Sequence, residues 1–238
     1  MTSLSSWMVR LISRKGSIMT YYVGADSGSY PYSAVCEVVA TFSDGTVEQG
    51  SGVFVSANDV LTASHMLWQT DHGGAATSVT VYPGTDGGAT PFGAYSAAQW
   101  SYYEINDSGN LIYQSDSQYD VGIISLSTQE GYQTGWFGMD PNETSGWYNL
   151  TGYPAAYDIG GQAMMTNDWG YAQEDPNYWT FNYVDISSNP GNSGGPLWYT
   201  GGDGFPYVVG VCSTTSWAAD IYNTYDQLLS WIYQDGIW

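Results

Sequence analysis

Apolar residues along this chain cluster in short β-branched runs broken by Gly, Asn, Asp and Pro, the pattern of strands rather than helices. Ala34 to Phe42 (AVCEVVATF) and Val47 to Val55 flank Asp44-Gly45, a two-residue hairpin signal. Val79 to Tyr82, Val121 to Leu126, Trp147 to Gly152, Thr180 to Ile186 and Tyr207 to Cys212 read as further short strands. Around Val79 to Tyr82, the Gly/Ala/Thr/Ser-rich stretch from Gly73 to Ala98 reads as an extended loop. The pattern predicts an all-β chain, a sandwich or barrel. A soft boundary at Gln129 to Gly138 divides it into halves spanning residues 20–130 and 131–238.

Helical periodicity occurs only at the two ends. Ile221, Tyr225, Leu228, Leu229 and Ile232 share one face, with Asp220 placed to cap the first turn. Leu4, Trp7, Met8, Leu11 and Ile12 follow an amphipathic pattern within residues 1–19, a leader or dispensable segment. Arg10 interrupts the apolar run there, so the segment does not read as a standard secretory signal.

Charge sharpens this picture. The 238 residues carry 23 acidic and 3 basic side chains, a formal net charge of -20. The three cations, Arg10, Arg14 and Lys15, all lie in the N-terminal segment, so everything after Lys15 carries -23. Nucleic acid is excluded as a partner, because its binding rests on Lys and Arg meeting phosphates. No apolar stretch is long enough for a transmembrane helix. A body without Lys or Arg offers nothing to a protease that cuts after them, which fits a secreted, monomeric protein. Mutual repulsion among its carboxylates predicts raised pKa values and a fold stabilised by mild acid or salt. Calcium would suit the charge, but no EF-hand-like spacing is present and no cofactor is required. The only cysteines, Cys36 and Cys212, are far apart and imply no disulfide framework.

Three local motifs carry chemistry: Leu61-Thr62-Ala63-Ser64-His65 after an apolar run, Tyr119-Asp120-Val121-Gly122-Ile123-Ile124, and Gly191-Asn192-Ser193-Gly194-Gly195-Pro196. A serine hydroxyl needs an adjacent base to become a nucleophile, and an imidazole needs a carboxylate to fix its tautomer. The rivals are weaker: His72 sits in a Gly-rich loop, and Asp116 precedes a polar segment.

In the order His, Asp, Ser, these motifs resemble the chymotrypsin-like serine peptidases. VYPGTDGG (81–88) and VDISSNPGNSGGP (184–196) look like the bacterial glutamyl-endopeptidase branch, and the likeness covers about residues 34–235. The resemblance implies two six-stranded antiparallel Greek-key barrels with a C-terminal helix, acting on protein or peptide substrates. It assigns His65, Asp120 and Ser193 as a catalytic triad and the amides of Gly191 and Ser193 as an oxyanion hole. Specificity-pocket walls are expected at Ser187, Ser188, Cys212, Ser213 and Thr214. The alternative is an inactive chymotrypsin-like module that binds protein or glycan through surface aromatics.

Two positions depart from relatives. Gly194 stands where animal enzymes carry an Asp that pairs with a freed N-terminal amine, so activation by that ion pair is not expected. Cys212 stands where glutamyl endopeptidases carry a histidine, and Ser187 where trypsin-type enzymes carry an Asp. Burying a substrate carboxylate without a cation costs several kcal/mol, so a small polar or medium apolar side chain is expected instead.

Overall fold

A computed structural model of the chain describes residues 19–234. Its first half contains β1 (Val35–Thr41), β2 (Val47–Phe54), β3 (Asp59–Thr62), β4 (Ser78–Pro83), β5 (Gln99–Tyr102) and β6 (Gly122–Ser125). They pair antiparallel in the order β4-β1-β2-β3-β6-β5, with the short strand Tyr95–Ser96 on the outer edge of β4. Backbone bonds from Ala97 to Val79 and from Ala98 to Ser125, both 2.9 Å, tie the two ends of this open sheet together.

The second half contains β7 (Gly146–Gly152), β8 (Thr166–Asp175), β9 (Thr180–Tyr183), β10 (Pro196–Thr200), β11 (Pro206–Cys212) and β12 (Trp217–Asp220). Its order is β8-β7-β10-β11-β12-β9, and pairing between β9 and β8 closes a six-stranded barrel. The expected pair of six-stranded units is therefore present, one closed by its ladders and one drawn together by a bridging segment. Met19–Tyr22 adds a strand to β8, with Met19 opposite Trp169. The helix expected over residues 1–19 otherwise lies outside the described residues.

Alternation in β10 and β11 separates two hydrophobic regions. Leu197 and Val209 face the closed barrel with Tyr148, Leu150, Phe181 and Ala218. Trp198 and Val208 face a larger core that continues into the first half. There the Trp198 ring packs against Phe137 and Tyr32, and its indole N–H donates to Thr151 Oγ1 at 2.9 Å. This seam fastens the two halves, and losing a buried aromatic at it would cost about 3–5 kcal/mol.

Several local readings change on folding. The Asp44-Gly45 hairpin is not a two-residue turn. Phe42 O accepts from Gly45 N, Phe42 N donates to Thr46 O, and Gly45 alone takes the left-handed region (φ +87°). Asp44 Oδ1 instead accepts the Thr46 amide at 2.9 Å. The run Thr180 to Ile186 stops at Tyr183, because Val184 N and Asp185 N both turn onto Tyr171 O. Within Gly73 to Ala98, strands form at Gly74–Ala75 and Tyr95–Ser96 as well as β4. At the C-terminus, Asp220 Oδ1 accepts the Tyr222 amide at 2.9 Å and caps a 3₁₀ turn (Ile221–Thr224). The helix α1 (Tyr225–Tyr233) follows, burying Leu228 and Ile232 and packing over β6. None of the helices among the described residues is long and apolar enough to cross a membrane.

Some carboxylate pKa values rise, as expected, but burial is the leading cause rather than repulsion, and on the surface hydrogen bonds lower Asp44 and Asp203. Burial raises Glu37, Asp86, Asp158 and Asp168, with Asp158 repulsion adding to Glu37. Burial pushes Asp220 up to about 7, against the Tyr222 hydrogen bond and with help from Glu174. An acid raised in the folded state holds its proton longer there than in the unfolded chain, so stability falls as pH climbs through that interval. For Asp220 the interval runs from its ordinary 3.8 to about 7. The melting temperature should be several degrees higher at pH 5 than at pH 8. Asp220→Asn, which keeps the capping acceptor, should flatten that slope; a melting temperature that rises toward pH 8 contradicts the assignment.

Candidate active site

The three motifs converge at the seam between the halves. His65 sits in a 3₁₀ turn (Ser64–Met66) directly after β3, and Asp120 precedes β6, which pairs with β3. That pairing brings 55 residues of sequence separation down to direct contact. Asp120 Oδ2 accepts from His65 Nδ1 at 2.7 Å, and Asp120 Oδ1 accepts the His65 backbone amide at 2.9 Å. The carboxylate is fully buried, while the imidazole retains 14% of its surface. Burial alone would lower the His65 pKa. The Asp120 charge and hydrogen bond, then Asp107 and Glu48, outweigh it, and the pKa is raised.

A polar chain behind Asp120 was not legible as such. Ser213 Oγ donates to Asp120 Oδ2 at 2.6 Å, Ser117 Oγ lies 2.9 Å from Ser213 Oγ, and the Trp217 indole N–H donates to Ser117. Ser213 was expected as a specificity wall; its hydroxyl is committed to the carboxylate. The Ser64 hydroxyl, donating to Val121 O at 2.6 Å, fixes the same junction from the other side.

Ser193 lies in a loop in which four successive carbonyls are hydrogen-bonded. Pro190 O accepts from Ala155 N (2.9 Å), Gly191 O from Ser51 Oγ (2.7 Å), Asn192 O from Gly195 N (2.8 Å) and Ser193 O from Ser51 N (2.7 Å). A trans peptide points its C=O and N–H in opposite directions. The N–H groups of Gly191 and Ser193 therefore point away from the Pro190 O and Asn192 O bonds, and both residues line a cleft. Gly191 (φ +98°) and Gly194 (φ +82°) hold conformations that side chains resist. A Cβ on Gly194 would also lie 2.2 Å from Ser51 O.

The cleft has a volume of about 550 Å³ and is lined by His65 and Ser193 together with Ser188, Cys212, Ser213, Thr214 and Thr215. Glu48, Gln49 and Asp107 line it as well. Of the expected wall residues, Ser187 is the one not on its surface. Cys212 is buried, as is Cys36 in β1, and neither is in a disulfide. Burial pushes the Cys212 thiol up to about 11, opposed by its hydrogen bond with Ser188 and by the neighbouring Tyr183 hydroxyl. It is therefore neutral at physiological pH. The rivals lie elsewhere: His72 pairs with Asp44 at 2.8 Å on the hairpin surface, and Asp116 belongs to the short helix Gln114–Ser117. Among the described residues, no group of three or more His, Cys, Asp or Glu is placed to hold a metal ion.

A family model described as a trypsin-like peptidase domain matches residues 50–211. The chain belongs to the trypsin-like peptidase family. Over 137 residues, 56% of the chain, it is 31% identical to the extracellular metalloprotease of Bacillus subtilis and 28% identical to the glutamyl endopeptidase of Bacillus licheniformis. The match spans only 42% and 40% of those relatives, about two-fifths of each. A solved Glu endopeptidase structure superposes with a TM-score of 0.71 at 20% identity, covering 94% of this chain and 99% of that one. The protease Anisep from Arthrobacter nicotinovorans gives 0.65 at 22% identity over 83% and 96%. At these identities the structures speak for the peptidase fold alone.

Gly194→Ala should destabilise this peptidase by about 3 kcal/mol or more, because overpacking and a disfavoured φ act together. Denaturant titration measures it; a change below about 0.5 kcal/mol contradicts the geometry of the loop.

Proposed function

We propose that the chain is a secreted serine endopeptidase working through His65, Asp120 and Ser193. The single observation that carries this is the convergence on one cleft of a carboxylate-bonded imidazole, a serine and the backbone of Gly191 beside it. His65 takes the Ser193 proton as Oγ attacks the substrate carbonyl carbon. The oxyanion then accepts hydrogen bonds from Gly191 N–H and Ser193 N–H, each worth about 3 kcal/mol in such sites. Asp120 stabilises the imidazolium, and His65 returns the proton to the departing amine. The remaining acyl-enzyme is hydrolysed by water, with His65 acting again as base. The chemistry uses this chain's own groups and asks for no cofactor.

The acyl-side wall supports a neutral substrate side chain. Ser188, Cys212 and Thr214 present hydroxyl and thiol groups, and the body contains no Lys or Arg to meet a carboxylate. Secretion is supported by the excess of acidic side chains and by a relative named as extracellular.

A serine-directed phosphonate should label the wild type at Ser193, and Ser193→Ala should lose both labelling and peptide cleavage. A folded wild type that stays unlabelled sinks the proposal. Asp120→Asn should lower kcat on the order of 10⁴-fold, since the wrong imidazole tautomer faces Ser193. Because His65 must be neutral to act as base and its pKa is raised, kcat/KM should climb through an inflection above pH 6.5. Peptides cut after Ala or Val should exceed those cut after Glu by at least about tenfold.

A further inference from the structure

We infer that the cleft selects substrates carrying a basic residue on the leaving-group side of the scissile bond, held against Glu48 and Asp107. The inference rests on the serine-peptidase reading and adds the substrate class to it.

The Ser193–Gly194 backbone is bonded on one side to β2, through Ser51 N and Ser193 O at 2.7 Å. On the other it is bonded to β11, through Gly194 N and Cys212 O at 2.8 Å. The nucleophile thus divides the cleft. Ser188, Cys212 and Thr214 form a neutral wall on the β11 side, while β2 brings Glu48 and Gln49 to the other side. The turn carrying His65 belongs with β2, since a Cβ on Gly50 would lie 2.5 Å from Met66 Sδ. His65 hands the proton to the departing amine, so the β2 side is where the leaving peptide lies.

Asp107 closes the same flank. Its Oδ1 accepts the Thr70 amide at 3.0 Å, and the neighbouring Gln69 Nε2 donates to His65 O at 3.0 Å. The imidazoles that feel Glu48 are already taken: His65 is bonded to Asp120 at 2.7 Å and His72 to Asp44 at 2.8 Å. No Lys or Arg exists after Lys15 to neutralise the two carboxylates from within the body. Two carboxylates lining a cleft with low-dielectric walls attract an ammonium or guanidinium more strongly than the same charges on open surface. Diffuse charge of -20 would favour basic peptides in any register; a two-carboxylate lip favours them in one.

The test uses synthetic peptides sharing one cleavable bond, with a single Lys moved through positions on either side of it. On the leaving-group side, Lys should raise kcat/KM about fivefold or more over Ala, and 0.5 M NaCl should erode the gain. In Glu48→Gln, and further in Glu48→Gln with Asp107→Asn, the Lys/Ala ratio should fall toward one. Asn retains an acceptor for the Thr70 amide. Asp226→Asn, which removes the same charge from the exposed face of α1, should leave the ratio as it was. A preference equal on both sides of the bond, or one that survives the double substitution, overturns the inference while leaving the peptidase intact. Cleavage of none of the peptides by folded enzyme counts against the serine-peptidase reading itself.

Discussion

The carbonyl of Ser193 accepts the Ser51 amide, and the amide of Gly194 reaches the Cys212 carbonyl; these two bonds hold the Ser193–Gly194 backbone between a strand of each half. Ser51 does more than supply one donor. Its hydroxyl donates to Gly191 O and accepts the Tyr153 amide, so one buried side chain from the first half fixes both the loop and the strand end beneath it. The direction of the Gly191 and Ser193 amides follows from the bonded carbonyls of Pro190 and Asn192. So does the division of the cleft into a neutral wall and an acidic lip. The two halves are thus coupled by chemistry at the seam as well as by the Trp198 packing.

Much of the site was legible because its signals are local. The residues around His65, Asp120 and Ser193 encode turns, strand starts and glycine conformations within a few positions of each functional group. The hairpin partners β1 and β2 were legible for the same reason, flanking the local Asp44-Gly45 turn signal. What was not legible depends on partners far away in sequence. β8 begins Thr166-Asn167-Asp168, a polar run that looks like loop. In the fold these residues are buried, with Thr151 Oγ1 donating to Asn167 Oδ1 and Thr20 Oγ1 to Asp168 Oδ2. β3 and β12 have only four residues each, too few for alternation to stand out. Ser51, between two glycines, reads as a spacer, and the commitment of Ser213 to Asp120 spans 93 positions.

The charge of the chain acquires a different meaning once the fold is known. Glu37, Asp86, Asp158, Asp168 and Asp220 titrate high mainly because they are desolvated, so acid acts on particular side chains rather than on a uniform cloud. At the site, Asp120 accepts two bonds from His65 and one from Ser213. The same absence of Lys and Arg that protects the body from basic-specific proteolysis leaves Glu48 and Asp107 without basic side chains of their own at the cleft.

Stopped-flow mixing with a p-nitrophenyl ester, followed by intact-mass and fragment analysis of the acid-quenched chain, tests the central claim most directly. A covalent intermediate on Ser193 predicts a burst of nitrophenolate approaching one equivalent per chain and an acyl adduct mapped to Ser193. Folded protein that yields no adduct, or one whose adduct maps to another nucleophile such as Cys212, would contradict it.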